Sequence, residues 1–208
     1  RVLASTLNYR ETLANVARLA VPTFADWCAV DLVQEDGTIV RVAVEHPDPD
    51  KVALAHPLAE RYPTDPNAQH GLPRVIRSGE PEWMEEIPAI LLEETAVDAE
   101  HLALLRELRL HSFVIAPLRG RNRILGAITF VYAESGRSYS AIDVYLVVDL
   151  AGRAAIAIEN AVLVSALEQA HEQIASQARE LEIRSEELER SAVLLQDQAV
   201  ELEQQLTA

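Results

Sequence analysis

Apolar residues recur with two different periods in the first part of the chain, and each period predicts a different element. Between residues 3 and 20 they return every three to four positions, which predicts an amphipathic helix that ends before Pro22. Residues 26–33 and 38–44 are apolar, β-branched runs separated by Glu35-Asp36-Gly37. An Asp-Gly turn between two such runs predicts a β-hairpin.

A second hairpin is predicted after a long excursion. Residues 111–118 and 123–133 are apolar runs on either side of the Gly120-Arg121-Asn122 turn. Between the hairpins, start and stop signals predict helices at 49–61, 71–79 and 98–108 and a short strand at 82–86. Two hairpins bury their apolar sides only if they meet in one sheet. We therefore predict an α+β fold, an antiparallel sheet with helices on both faces, and a crossover at 46–110 that leaves space for a small ligand.

The composition of the chain changes near residue 160. Residues 161–208 contain no glycine, proline or aromatic residue. We therefore expect a globular domain over residues 1–160 and a helical segment over residues 161–208. Ser140 followed by Asp143 is typical of a helix start, and no breaker stronger than Gly152 follows, so one helix should enter the tail without a break.

The tail repeats every seven residues in the manner of a coiled coil. One line of positions carries a large aliphatic residue, and the line three residues earlier carries mostly small or polar ones. A lone helix cannot cover such a stripe, so we expect a parallel homodimer with a marginal seam that can shift between states. The expected interface is Val164, Leu167, His171, Ile174, Ala178, Leu181, Leu188, Ala192, Leu195, Ala199, Leu202 and Leu206. His171 either fixes the register or, when protonated, loosens the dimer.

Charge and cysteine content narrow the functional classes. The net charge of −15 repels polyanions, so we expect neither nucleic acid nor an anionic membrane surface as a partner. No run approaches the ~20 apolar residues that span a bilayer, which argues against membrane insertion. The single cysteine, Cys28, excludes an intrachain disulfide and indicates a reducing, cytoplasmic location. Because the chain begins at Arg1, we expect it to be a fragment of a longer protein.

No motif indicates catalysis or a bound metal. The histidines include no pair at the i, i+4 spacing of a helical metal site, and adjacent carboxylates have no nucleophile near them in the sequence. Cys28 is interpreted as a small core residue rather than a redox sensor. The candidate pocket residues are Arg74, Trp83, His101, His111 and Phe113. Among them Arg74 suits an anionic ligand, either histidine suits an axial haem position, and Trp83 suits the core equally well.

Several short segments together resemble a family of small-molecule sensors. They are Thr6–Tyr9, Leu13–Ala17, Ala25–Leu32, Gly79–Pro81, Ala116–Leu118, Leu125–Ile128 and Ala154–Ala161. With these segments the first 160 residues resemble a GAF domain of a bacterial signalling protein. The resemblance implies a noncatalytic sensory module, followed by a coiled-coil signalling helix and, in the longer protein, a histidine kinase of a two-component system.

The ligand classes known for that family do not all suit this chain. Nothing between residues 97 and 140 matches the cyclic-nucleotide motif, and Cys28 lies inside a predicted strand rather than at a bilin attachment site. The cofactor is therefore unknown. Our main hypothesis is a dimeric sensor that binds a small molecule and signals through its tail. The alternatives are a dimerisation spacer that binds nothing and a haem-type cofactor sensor.

Overall fold

This computed structural model describes residues 13–21, 23–34 and 36–207, without the side chains of residues 54, 56–60, 193, 194 and 196–207. The chain divides into two compact units, Arg1–Val162 and Leu163–Ala208. The first unit contains the β-sheet, and the second is helical over residues 163–207. Residues 3–12 of the predicted first helix lie outside the described part.

Five strands form one antiparallel sheet in the first unit. They are β1 (Trp27–Val33), β2 (Ile39–Glu45), β3 (Glu82–Met84), β4 (Ser112–Arg119) and β5 (Ile124–Tyr132). Their order across the sheet is β2-β1-β5-β4-β3, so β5 is the middle strand and β1 and β4 are the interior strands beside it. The two predicted hairpins, β1–β2 and β4–β5, meet through antiparallel pairing of β1 with β5. The predicted α+β fold with an antiparallel sheet is therefore confirmed.

Helices precede, connect and follow the hairpins. The described helices are α1 (13–20), α2 (Pro49–Arg61), α3 (Leu72–Ser78), α4 (Ala89–Thr95), α5 (Ala99–Glu107) and α6 (Ala141–Thr207). The predicted start signals are present. Asp98 accepts a hydrogen bond of 2.7 Å from the His101 backbone N–H, and the backbone N–H of Ser140 donates to the Asp143 carboxylate at 2.7 Å.

The sequence patterns did not predict α4. It has only seven residues, and its Ile90 side chain is 58% exposed while Leu91 packs on the core. A helix this short shows too little periodicity to be distinguished from a loop. Pro88 at its N-cap marks where it begins.

Each face of the sheet is covered by different helices. α1 and α6 cover one face, on which Cys28, Val30 and Phe130 are fully buried. α2 and α3 pack on the opposite face, which we call the crossover face because the segment between the hairpins passes over it. Burying the two apolar sides of one sheet in this way is the main source of stability for such a layered fold.

Asp26 and Tyr139 tie the start of β1 to the segment that leads into α6. Asp26 Oδ2 accepts hydrogen bonds from the Ala133 N–H at 2.7 Å, the Ser135 N–H at 3.0 Å and the Ser135 hydroxyl at 2.7 Å. The Tyr139 hydroxyl donates to the Phe24 carbonyl oxygen at 3.0 Å. These contacts hold the root of α6 against the central strands.

Candidate functional site

The centre of the crossover face is incompletely covered. Ala29 on β1 and Thr129 and Val131 on β5 face the crossover and are partly exposed, although both strands are interior. Their neighbours on the opposite face, such as Phe130, are 0% exposed. The helices therefore cover these strands more fully on the α1–α6 face than on the crossover face, where the partly exposed side chains are available for contact with a small molecule.

Two buried carboxylates stand on the same face. Asp31 on β1 is 2% exposed, and Arg41 of β2 donates to it twice, from Nε at 3.0 Å and from Nη2 at 3.3 Å. Glu82 on the edge strand β3 is 8% exposed, and its Oε2 accepts from Arg74 Nη1 at 3.2 Å. His70 Nδ1 lies 3.3 Å from Glu82 Oε1 without hydrogen-bond geometry. Both carboxylates are thus held by cations that are less buried than they are.

Trp27 and His46 close one end of this face. Their rings lie 4.3 Å apart, and Trp27 Nε1 is buried without a hydrogen-bond partner among the described residues. His46 Nδ1 accepts from the Asp48 backbone N–H at 2.9 Å, and its Nε2 lies 3.4 Å from Glu134, which also pairs with Lys51. Burial of the ring, followed by repulsion from Lys51, lowers the pKa of His46 below its ordinary value.

The structure does not bring the five candidate pocket residues together. Phe113 belongs to the buried cluster under α3, and Arg74 lies at the rim, where Glu82 already matches its charge. Trp83 pairs with Val114, whose side chain is buried on the opposite face. Because side chains alternate along a strand, Trp83 points away from the crossover face on which Glu82 lies.

The two candidate haem histidines each contact other groups. His101 stacks on Tyr62 with ring centroids 4.1 Å apart, and its Nδ1 accepts from the Val97 N–H at 3.2 Å. His111 Nε2 lies 3.2 Å from the Ser138 hydroxyl. Neither contact involves a residue of the open centre of the crossover face.

Sequence reasoning missed the residues that line this space. Asp31 carried a usable signal, because a charged residue between Val30 and Leu32 in an apolar strand must find a partner when buried. Glu82 carried the same signal at the start of a predicted strand. Thr129 carried none, because its partial exposure results from the way distant helices pack.

Cys28 is fully buried on the α6 side of the sheet. Burial, with smaller contributions from Glu45 and Asp31, raises the pKa of its thiol far above the ordinary value. The reactive thiolate is therefore scarce at neutral pH. Over residues 13–21, 23–34 and 36–207, no group of three or more His, Cys, Asp or Glu side chains is placed to hold a metal ion.

The predicted dimer seam is exposed wherever its side chains are described. Leu167, Ile174, Leu181 and Leu188 are between 64% and 71% exposed in the single chain. His171, Ala178 and Ala192 are exposed as well, and Val164 and Leu195 are 55% and 65% exposed. Ala199, Leu202 and Leu206 lie outside the described side chains. The single chain thus leaves the described part of this stripe without cover.

Comparison with solved structures shows that this fold is shared with known GAF domains. A GAF domain/HD domain protein from Geobacter sulfurreducens superposes with a TM-score of 0.57 at 17% identity, covering 78% of this chain and 99% of the other. The GAF-B domain of DevS from Mycobacterium smegmatis gives 0.53 at 16% identity, covering 79% and 98%. A domain assigned to a two-component sensor histidine kinase of Sinorhizobium meliloti 1021 gives 0.50 at 16% identity, covering 76% and 96%. At these identities the likeness concerns the fold alone.

The family model named GAF domain matches residues 8–158, and the chain belongs to this family. GAF domains are noncatalytic sensory or regulatory modules of signalling proteins, and some accompany histidine kinases. Among curated proteins, none matches the chain. In the described ranges, no helix has both the length and the apolar character needed to cross a membrane.

Proposed function

We propose that this chain is the sensor of a signalling protein, that it binds a small molecule on the crossover face, and that it signals as a homodimer through its tail. The observation that carries the ligand proposal is the partial exposure of Ala29, Thr129 and Val131 at the centre of the sheet. A sheet centre that serves packing alone is normally closed, as Val30 and Phe130 are on the opposite face.

The chemistry of the surroundings suits a ligand with both apolar and polar parts. Ala29 and Val131 offer apolar contact, while Thr129 and the Glu82 carboxylate offer hydrogen-bonding groups at the centre and at one edge. Arg74 could meet an anionic group only if it left Glu82. The site therefore favours a neutral or hydrogen-bond-donating ligand over a strongly anionic one.

The output proposal relies on the tail. Its exposed heptad stripe supports a parallel coiled coil with a second copy, because burying a leucine side chain contributes roughly 1.5 to 3 kcal/mol. The likeness to a domain of a sensor histidine kinase supports such a kinase as the output domain. The cytoplasmic location stays a prediction from the single cysteine.

Ligand binding is tested by thermal denaturation with a panel of amino acids, carboxylic acids, nucleosides and haem. Ala29→Leu fills the open centre, and Ala53→Leu makes the same change at an exposed position of α2. We expect at least one compound to raise the Tm of the wild type and of Ala53→Leu but not of Ala29→Leu. Equal shifts in all three chains would place the ligand elsewhere. If no compound shifts any chain, the ligand-free spacer replaces this proposal, and a Soret band would indicate the haem alternative.

A further inference from the structure

Trp27 carries a buried polar atom that the described part of the chain leaves unpaired. The residue is 7% exposed, and among the described side chains only Trp27 Nε1 and Glu82 Oε1 are buried without a hydrogen-bond partner. Glu82 still accepts a hydrogen bond through its other oxygen, whereas an indole has no second polar atom. The hydrogen-bonding capacity of Trp27 is therefore wholly unused within these residues.

Trp27 lies beside the open centre of the crossover face. Val131 is its register partner on β5, and Ala29 lies two residues further along β1 on the same face, at a distance of about 7 Å. Both side chains pack against the buried cluster to which Trp27 belongs. A ligand that covers Ala29 and Val131 therefore borders this cluster, and a turn of the indole ring would bring its N–H to the ligand.

We infer that Trp27 Nε1 is the hydrogen-bond donor that recognises the ligand, and that the ligand is an uncharged, mainly aliphatic molecule with a carbonyl oxygen, such as an amide, ester or lactone. The inference rests on the ligand site of the proposed function and adds the chemical class of the ligand. A buried N–H without an acceptor raises the free energy of the ligand-free protein, because it has lost its water and gained nothing in exchange. A carbonyl oxygen of the ligand would supply the missing acceptor.

The side chains around the indole suit an aliphatic ligand. Four partly buried apolar residues pack against the Trp27 cluster: Ala29, Val52, Leu108 and Val131. Thr129, two residues from Val131 on the same face, adds one hydroxyl at the open centre. A ligand held here would make mostly apolar contacts and few hydrogen bonds, so the partner of each hydrogen bond determines which ligands fit.

The charges around this face favour an uncharged ligand. The cations next to it stand in three ion pairs: Arg41–Asp31, Arg74–Glu82 and Lys51–Glu134. His46, whose ring lies 4.3 Å from that of Trp27, is neutral at neutral pH because burial lowers its pKa. An anionic ligand would find no unmatched cation among these groups, and burying a charge without a partner is costly.

Nuclear magnetic resonance of the full 208-residue chain tests the inference without a substitution in the site. The chain has two tryptophans, so an isotope-labelled sample gives two indole N–H signals, which Trp83→Phe assigns. The probes are octanamide, which has a neutral carbonyl, octylamine, which has no acceptor when protonated, and octanoate, which is anionic. We expect octanamide to move the Trp27 indole proton downfield. The Trp83 signal should stay in place, because Trp83 points to the opposite face.

Binding affinities provide the matched comparison. Trp27→Phe keeps an aromatic ring but removes the N–H, so it should weaken octanamide binding by about three- to tenfold, the effect of one hydrogen bond, without weakening that of octylamine. Trp83→Phe makes the same change on the opposite face and should alter neither affinity. Octanoate should bind the wild type roughly tenfold more weakly than octanamide, because its charge has no partner in the site.

The outcomes separate this inference from the proposed function. Octanamide that shifts the backbone signals of Ala29 and Val131 but not the Trp27 indole proton would overturn the inference alone. Equal weakening of octanamide and octylamine in Trp27→Phe would also overturn it, since the ring would then shape the site without donating. Octanoate that binds as tightly as octanamide would refute the uncharged class. If no probe shifts these signals, the inference is wrong, and the proposed function fails with it only when the wider thermal-denaturation panel also yields no ligand.

Discussion

Removing the Asp26 carboxylate should destabilise the sensor unit more than its position at a strand end suggests. Asp26 is 8% exposed, and one of its oxygens accepts three hydrogen bonds from Ala133 and Ser135. In Asp26→Ala two backbone N–H groups lose their acceptor. An unsatisfied buried donor costs about 1 to 3 kcal/mol, so we expect a loss of roughly 2 to 4 kcal/mol. Asp26→Asn keeps an acceptor oxygen but loses the charge, and should cost about 1 to 2 kcal/mol.

Urea unfolding followed by tryptophan fluorescence measures these losses, because Trp27 is buried beside the substituted residue. Asp36→Asn is the control, since Asp36 is an exposed turn residue that also accepts hydrogen bonds from the Thr38 N–H and hydroxyl. We expect its effect to be the smallest of the three. If Asp26→Ala unfolded at the same urea concentration as the wild type, the hydrogen-bond argument would be wrong.

The pH dependence of the stability difference between the wild type and Asp26→Asn provides a second check. Burial alone would raise the pKa of Asp26, but the hydrogen bonds from Ala133 and Ser135, with the charge of Arg137, outweigh it and hold the pKa below its ordinary value of 3.8. The unfolded state therefore binds the proton more readily. The advantage of the wild type over Asp26→Asn should be constant above about pH 5 and decline as the pH falls through 3.8. A difference that grew toward acid pH would contradict this.

Three further outcomes are expected. Burial lowers the pKa of His46, so the unfolded state binds this proton more readily than the folded state, and the free energy of unfolding should fall as the pH drops through 6.5. The fall should be smaller in His46→Gln. Urea midpoints that change equally with pH in the wild type and in His46→Gln would contradict this. Gly126→Ala should lower the free energy of unfolding by about 3 kcal/mol, because the added Cβ would lie 2.0 Å from the Asp31 carbonyl oxygen. In Gly152→Ala the added Cβ has no atom within 4 Å, so this variant should be as stable as the wild type. Cys28 should resist iodoacetamide until urea unfolds the chain; rapid labelling of native protein would show that it is accessible.

The sheet was predictable because its signals are local. Residues 26–33 and 38–44 are strand-like apolar runs joined by a tight turn, so the β1–β2 hairpin follows from neighbours in the sequence. The need of each hairpin to bury its apolar side predicted that the two hairpins meet in one sheet, but the pairing of β1 with β5 was seen only in the structure. Helix α4 was missed because it buries no residue fully, and the partly buried Leu91 does not define a period within seven residues.

The candidate site was less predictable because it is defined by what the helices leave uncovered. Phe113 and Arg74 were expected in a pocket, and they lie at the covered edge and at the rim. Trp83 could not be excluded from the sequence, since alternation along a strand does not say which of Glu82 and Trp83 points inward, and only the structure shows Glu82 buried. The partial exposure of Thr129 depends on how α3 packs over β5 while α2 packs over β2, and no local pattern contains that information.

The proposed ligand site and helix α6 lie on opposite faces of the sheet, so a signal needs a physical connection between them. Strand β5 provides one through its alternation. Thr129 and Val131 face the open centre, while Ile128 and Phe130 belong to the core that α6 also enters. A ligand that shifts β5 therefore changes the surface on which α6 packs. Because close-packed cores deform little, such a shift would move the helix rather than be absorbed.

A second connection runs around the end of the sheet. Arg119 Nη2 donates to the carbonyl oxygen of Gly79, the C-cap residue that follows α3, at 2.5 Å. In the adjacent turn, the Arg121 N–H donates to the Glu159 carboxylate of α6 at 2.9 Å. Gly120 lies so close to this carboxylate that a Cβ would stand 2.6 Å from it. α3 packs on the crossover face, and Glu159 lies on α6 three residues before the first unit ends. A displacement of α3 would therefore be passed through Arg119 and Arg121 to the part of α6 that leaves the first unit.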